Sequence, residues 1–112
     1  MVFKTLTFNG FEVAGVAENG EMAVSMFKEF SNKPKVILMD NRMPIKTGIE
    51  ASKEILQIDK NVKIIFTSAD ITIKEEAISI GAFSFWDKPF MIDVLIDDIK
   101  KAFKCYDSCL SN

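Results

Sequence analysis

The chain has 112 residues, of which 48% are hydrophobic and 27% charged, and its formal net charge is −2. That balance is typical of one folded domain of ordinary size and excludes a disordered chain. It gives no overall attraction to nucleic acid, and because the chain contains 0 histidines, Ser-His and Cys-His nucleophilic catalysis are excluded.

The sequence contains no signal that points to a membrane or to a metal held by cysteine. No hydrophobic stretch approaches the roughly 20 residues that a helix needs to span a bilayer. The N-terminus carries Lys4 and Asn9 and lacks the apolar core of a signal peptide, so we expect a cytoplasmic protein. Cys105 and Cys109 lie near the C-terminus with no histidine to complete a metal site, and surface thiols explain them better than a ligand pair does.

The first third of the chain predicts a helix, a strand and a second helix. Apolar Phe3 and Leu6 share one face of the first helix, which ends near Asn9-Gly10. Val13 to Ala17 follows as a short strand. After Asn19-Gly20 the apolar residues recur at helical spacing, at Ala23, Met26, Phe27 and Phe30.

A run of apolar residues from Val36 to Met39 stops at the carboxylate of Asp40. Such a run predicts a strand that is buried on both faces of a sheet. In open α/β sheets ligands bind at the carboxyl ends of strands, so Asp40 is a candidate site residue. An aspartate after a strand also commonly caps the following turn, and the pattern leaves both interpretations open.

The remaining chain alternates helix and strand with short connections. Strands are predicted over Val62 to Thr67 and Phe83 to Trp86, and helices from Gly48 to about Ile58, about Ile73 to Ile80 and about Met91 to Tyr106. This alternation indicates a parallel sheet with helices on both faces. The chain shows no repeat or linker, so we expect a single domain with no output domain.

Polar side chains end three of the predicted strands. Asp40 follows the first apolar run, Thr67-Ser68 the next and Lys88 the last. In a parallel sheet these ends lie at one edge, so a carboxylate, a hydroxyl and an ammonium group can converge there. Such a set suits phosphate chemistry, with the carboxylate as nucleophile and the other groups stabilising the phosphoryl oxygens.

Three motifs, in this order, resemble the receiver domain of two-component response regulators, the CheY-like superfamily. They are Leu-Met-Asp-Asn-Arg-Met-Pro with Thr47-Gly48, then Phe-Thr-Ser-Ala, and then Gly81-Ala82 ahead of Lys88-Pro89-Phe90. The resemblance covers nearly the whole chain, so residues 1–112 are expected to form a single receiver domain. It implies a flavodoxin-like three-layer α/β/α fold with strand order 2-1-3-4-5.

The resemblance also implies a function in phosphorelay signalling. Such a domain accepts a phosphoryl group from a histidine kinase, a phosphotransfer protein or a small phosphodonor, and then changes its binding to a downstream protein target. It is not an enzyme beyond catalysing its own phosphorylation and dephosphorylation. Neither direct nucleic-acid binding nor membrane binding is expected.

The resemblance assigns roles to individual residues. Asp40 matches the phosphoacceptor, Ser68 the hydroxyl residue that moves toward the phosphoryl group, and Lys88 the lysine that pairs with it. Phe85 matches the aromatic residue that turns inward on activation, and Arg42 lies where the family offers a backbone carbonyl to magnesium. Their neighbours in the motifs are Thr67, Ala69 and Pro89, and the expected partner-binding face includes Phe85 and Trp86.

Three of these residues also have purely structural explanations. A helix N-cap would explain Ser68, because serine is favoured at that position. A solvated side chain before a proline would explain Lys88. Permanent burial in the core would explain Phe85, which lacks the hydroxyl that helps such a residue to prefer an outward position.

The sequence departs from the family pattern at its start. The family begins with a strand that ends in two adjacent acidic residues, which hold magnesium. No such pair precedes Asp40, so we expect the first strand and the start of the first helix to be absent, and magnesium to rely on Asp40 and the Arg42 carbonyl. A truncated product, a dimer or strand swap that fills the gap, and a degenerate receiver without metal all remain as explanations.

Three rival functions follow from the same sequence. A pseudo-receiver would share the fold and bind proteins without phosphorylation. An aspartate-nucleophile phosphohydrolase would place a second Asp two residues after the first, where this chain has Arg42. A flavin- or nucleotide-binding module would need a glycine-rich loop after a strand, which the sequence lacks.

Overall fold

The computed structural model describes residues 17, 19–40, 46–87 and 91–111. Within these ranges the helices are α1 (Gly20–Glu29), α2 (Gly48–Ile58), α3 (Lys74–Ser79) and α4 (Ile92–Ser111), and a 3₁₀ turn spans Ile71–Ile73. The strands are β1 (Val36–Asp40), β2 (Lys63–Ser68) and β3 (Ser84–Asp87). The helix predicted near Phe3 and the strand predicted from Val13 lie outside the described residues.

The described strands form a parallel sheet in the order β1-β2-β3. Its interior strand β2 is almost wholly apolar, and Ile64, Ile65 and Phe66 are each 0% exposed. Parallel strands are covered by helices on both faces, which is why such a run need not alternate with polar residues. The parallel sheet predicted from the alternation of elements is confirmed, and its order agrees with the last three strands of the order 2-1-3-4-5.

Two apolar clusters pack against opposite faces of this sheet. On one face Ile64 and Phe66 join buried residues of α1, α2 and α3, among them Phe27, Ile55 and Ala77. On the other face the intervening residue Ile65 meets α4 through three buried residues, Leu95, Ile99 and Ala102. Because successive side chains of a strand point to opposite faces, the β2 sequence supplies both clusters and produces three layers.

Two hydrogen bonds connect α4 to β3 on the face of the second cluster. The Trp86 indole Nε1 donates a hydrogen bond to Asp98 Oδ2 at 2.7 Å, and the Ser84 hydroxyl donates to the same oxygen. Ser84 and Trp86 are two residues apart on β3, so both side chains lie on the face that α4 covers. One carboxylate thus fixes the position of the helix along the strand.

The structure differs from the sequence predictions at several element ends. The apolar run of β1 was predicted to be buried on both faces, but only Met39 is buried and Val36, Ile37 and Leu38 are half-buried. Within the described residues β1 pairs with β2 along one edge, so its side chains have fewer neighbours than those of β2. In addition, α4 continues to Ser111 instead of ending at Tyr106.

The helix predicted over about Ile73 to Ile80 is preceded by a 3₁₀ turn, which a local capping contact starts. Asp70 Oδ1 accepts a hydrogen bond from the Thr72 amide at 3.0 Å and starts the 3₁₀ turn before α3 begins. At the other end Gly81 has a φ of 110°, and its amide donates to the Ile78 carbonyl at 3.1 Å. The predicted helix stop at Gly81 is confirmed, because a residue with a side chain is strained at that φ.

The structure also bears on the cysteines predicted to be surface thiols and on the search for a membrane-spanning segment. Cys105 is exposed and not in a disulfide, as predicted for a surface thiol, whereas the side chain of Cys109 lies outside the described residues. No helix in the described ranges has the length and apolar character needed to cross a membrane.

Candidate functional site

Polar residues from the ends of neighbouring strands lie at one edge of the sheet. Asp40, the last residue of β1, is in register with Thr67 of β2, and Ser68 is in register with Asp87 of β3. Asp40 is half-buried, whereas Thr67 is 8% and Ser68 0% exposed. The structure therefore brings together the carboxylate and the hydroxyl residues that the sequence predicted to converge.

The hydroxyl of Ser68 has a defined orientation. Its Oγ accepts a hydrogen bond from the Asp70 amide at 3.1 Å. The N-cap of the adjacent 3₁₀ turn is Asp70 and not Ser68, so the helix-capping explanation of Ser68 is wrong. Because Oγ acts as the acceptor in this contact, its own hydrogen is not used by it and remains a hydrogen-bond donor.

Phe85 and Trp86 on β3 pack on opposite faces of the sheet. The Phe85 ring stacks on Phe66, with ring centroids 6.5 Å apart and an interplanar angle of 17°, and packs against the cluster that includes α3. Phe85 is half-buried, so it is neither fully exposed nor locked in the core. Trp86 packs against the α4 cluster instead.

Several candidate site residues lie outside the described residues: Arg42, Lys88 and Pro89. Arg42 is two residues after Asp40, and Lys88 directly follows Asp87, the last residue of β3. The sequence reasoning did not single out Asp87, an exposed carboxylate at the same edge.

The segment after Asp40 returns to the described structure at Lys46 and Thr47 and then enters α2 through a capping box. Thr47 Oγ1 accepts from the Glu50 amide at 3.2 Å, and the Thr47 amide donates to Glu50 Oε1 at 3.1 Å. The Thr47 hydroxyl donates to the same carboxylate at 3.1 Å. Reciprocal capping of this kind satisfies amides that the first turn of a helix leaves unpaired.

Glu50 makes the stability of α2 depend on pH. The hydrogen bonds from the Thr47 amide and hydroxyl hold the pKa of the Glu50 carboxyl below its ordinary value of 4.5. With a lowered folded pKa, the stabilising contribution is complete above the ordinary value and is lost as the pH falls through the folded pKa. We expect the wild type to have a higher urea midpoint than Glu50→Gln at neutral pH, and the difference to disappear in acid.

The control for this prediction is the same pair of proteins in a Thr47→Ala background. Glutamine keeps an oxygen that can accept the hydrogen bonds but carries no charge, so the comparison isolates the ionised carboxylate. Without the Thr47 hydroxyl, the pH-dependent difference should shrink. A difference of equal size at neutral and acidic pH would contradict the prediction.

Comparison with known proteins identifies the family. The family model described as "Response regulator receiver domain" matches residues 2–100. The chain belongs to this family. The receiver is also 42% identical over 106 residues to a chemotaxis protein CheY of Thermotoga maritima, a match that covers 93% of this chain and 87% of that protein.

Solved receiver structures have the same fold. The response regulator protein TrrA from Thermotoga maritima, in complex with Mg²⁺-BeF, superposes with a TM-score of 0.77 at 32% identity and covers 88% of this receiver and 84% of that chain. The CheX-CheY-BeF₃-Mg²⁺ complex from Borrelia burgdorferi gives a TM-score of 0.79 at 25% identity and covers 92% of this receiver and 83% of that chain.

These matches confirm the flavodoxin-like α/β fold and the identification as a CheY-like receiver. The chain is a response regulator receiver domain, a phosphoacceptor module of two-component signalling. Receiver domains are signalling domains, which favours this function over the phosphohydrolase and the flavin-binding module. The matches contain nothing that favours a pseudo-receiver.

Proposed function

We propose that Asp40 is the residue that accepts the phosphoryl group. The observation that carries this proposal is its position, at the end of β1, in register with Thr67 and beside the strand that ends in Ser68. Half-burial leaves the carboxylate accessible to a donor while the neighbouring strand limits its movement. The capping explanation of Asp40 does not account for the hydroxyl residues at the same edge.

The chemistry is an in-line displacement at phosphorus. An oxygen of the Asp40 carboxylate forms a bond to phosphorus while the bond from phosphorus to the donor's nitrogen or oxygen breaks, and the donor leaves with the electron pair. Ser68 donates its hydroxyl hydrogen to a phosphoryl oxygen, since its Oγ already accepts from the Asp70 amide. Lys88, which follows the end of β3, supplies the positive charge that pairs with the phosphoryl group.

Magnesium fits the donor chemistry of this edge. The ion prefers oxygen ligands, keeps several waters, and is commonly held by one or two carboxylates together with phosphate oxygens. Asp40 offers one carboxylate at the strand end, although the described ranges contain no cluster of three acidic, histidine or cysteine side chains. We propose that Asp40 and the Arg42 carbonyl would hold the ion, whose positive charge would then offset the negative charge of a phosphoryl group.

Phosphorylation at this edge would change the environment of β3. Ser68 is in register with Asp87, which lies two residues after Phe85, so a shift of Ser68 toward the phosphoryl group changes the surroundings of β3. Phe85 is half-buried against Phe66 and can move further inward. The proposed result is a population shift that alters the partner face containing Phe85 and Trp86.

The partners follow from this chemistry. We propose that a histidine kinase or phosphotransfer protein supplies the phosphoryl group and that a downstream protein binds the face formed by α3 and β3. Residues 1–112 would act as one receiver domain in the cytoplasm. Catalysis by the chain would be limited to its own phosphorylation and dephosphorylation.

The test is a magnesium titration followed by beryllofluoride, an analogue of the phosphoryl group, read by tryptophan fluorescence. Trp86 is the single tryptophan of the chain and its indole is held by Asp98, so the signal comes from one defined place. We expect a saturable change that requires magnesium and Asp40. A folded wild type that gives no response would replace this proposal with a pseudo-receiver that acts through protein contacts alone.

A further inference from the structure

The outer side of α4 carries four charged residues in one line. Asp93, Asp97, Lys100 and Lys104 are all exposed. They follow one another at spacings of four, three and four residues. Because an α-helix turns about 100° per residue, these spacings place the four side chains within roughly 60° of arc. The opposite side of α4, which includes the buried Leu95, packs on the sheet, so the charged line points away from the core.

Contacts within the described residues do not pair these charges. None of the four side chains takes part in a salt bridge there. The helix dipole favours acidic residues in the first turn and basic residues in the last turn. It accounts for Asp93, which lies in the first turn, but the last turn of α4 contains no basic residue. The positions of Asp97, Lys100 and Lys104 in the helix interior therefore need another explanation.

The order of the four charges is self-complementary. Two acidic residues precede two basic residues, and each like-charged pair is spaced by four residues. If a second copy of α4 lies antiparallel to the first, Asp93 comes opposite Lys104 of the second copy and Asp97 comes opposite Lys100. Twofold symmetry repeats each contact, which gives four ion pairs. A parallel arrangement would instead place like charges opposite each other.

An apolar residue lies beside the charged line and can add to the contact. Val94 is 42% exposed, although it is a large hydrophobic residue. In the antiparallel arrangement Val94 comes near Lys104 of the second copy, whose methylene stem can cover it while the ammonium group pairs with Asp93. A contact made by one helix from each copy is small beside the about 1,600 Å² of a standard stable interface. It therefore suits a weak and reversible dimer.

We propose that two copies of this chain associate through antiparallel α4 helices, held by ion pairs between Asp93 and Lys104 and between Asp97 and Lys100. This inference goes beyond the proposed function and does not depend on phosphorylation of Asp40. The measurement is analytical ultracentrifugation of the wild type over a series of protein concentrations. We expect the dissociation constant of the dimer to rise about tenfold between about 0.05 M and about 1 M NaCl, because salt screens exposed charges.

Two charge variants test the arrangement itself. The acidic variant combines Lys100→Glu with Lys104→Glu, and the basic variant combines Asp93→Lys with Asp97→Lys. Each variant alone should remain a monomer at concentrations where the wild type dimerises, because like charges would then face each other. An equimolar mixture of the two should form a heterodimer. All four positions are exposed, so the folds should be retained, which circular dichroism checks.

A control with the same net charge separates this contact from general attraction between oppositely charged proteins. Lys28→Glu with Lys60→Glu changes the charge by as much as the acidic variant does, at exposed positions outside α4. This control should dimerise as the wild type does and should not bind the basic variant.

Three results would overturn the inference. They are a wild type that stays monomeric up to its solubility limit, acidic and basic variants that do not associate when mixed, and a basic variant that binds the control as well as it binds the acidic variant. A heterodimer of the acidic and basic variants that the control does not form would support the antiparallel contact.

Discussion

We expect Asp40→Asn to abolish incorporation of a phosphoryl group from acetyl phosphate, down to the background of the assay. The amide that replaces the carboxylate is not a nucleophile for phosphorus, so no acyl phosphate can form. Asparagine has nearly the same size and shape, so β1 and its pairing with Thr67 should be retained. The measurement is the mass that one phosphoryl group adds to the intact protein in the presence of magnesium, together with its release by hydroxylamine.

Asp87→Asn is the matched control for this result. Asp87 ends β3 at the same edge of the sheet, but it is exposed and lies opposite Ser68. We expect this variant to be phosphorylated as the wild type is. Phosphorylation of Asp40→Asn at the wild-type rate would show that another residue is the acceptor, and loss of labelling in Asp87→Asn alone would point to Asp87.

Phe66→Ala has the largest expected effect on stability. Phe66 lies on the interior strand, is 0% exposed and stacks on Phe85. Truncating a buried phenylalanine to alanine costs about 3–5 kcal/mol, because apolar contacts are lost and a cavity remains. A domain of this kind has a free energy of unfolding of only about 5–15 kcal/mol, so the variant should be marginally stable. Urea unfolding followed by circular dichroism measures the change.

Two further variants test whether the loss comes from the buried ring. Phe66→Leu should cost less, roughly 1.5 kcal/mol or below, because it keeps most of the side-chain volume. Phe85→Ala should also cost less than Phe66→Ala, since Phe85 is half-buried. If Phe85→Ala were the more damaging of the two, the core would be centred on β3 and not on β2.

The parts of the fold that depend on local pattern could be predicted from the sequence. The strand β2, the helix α2 and the stop at Gly81 follow from an apolar run, a helical period and a glycine, which act over a few neighbouring residues. The meeting of Asp40 with Thr67 and Ser68 was also predictable, because parallel strands present their carboxyl ends at one edge. The 3₁₀ start before α3 was missed because it depends on one capping contact of Asp70.

Contacts between distant segments could not be predicted in the same way. The bond from Trp86 to Asp98 and the approach of Gly20 to Lys46 depend on how helices are placed on the sheet. Asp98 looks like any solvated acidic residue of an amphipathic helix, and Gly20 looks like an ordinary residue of a turn. Only the tertiary arrangement shows that Asp98 accepts a hydrogen bond from Trp86 of β3 and that Gly20 lets the backbone of α1 approach the backbone of Lys46.

The neighbouring residues Phe85 and Trp86 connect β3 to both outer layers of the fold. Phe85 packs with the layer of α1, α2 and α3, while Trp86 is bonded to α4 in the opposite layer. A displacement of this short strand would therefore act on contacts in both outer layers, through the stacking of Phe85 on Phe66 on one side and the hydrogen bond from Trp86 to Asp98 on the other.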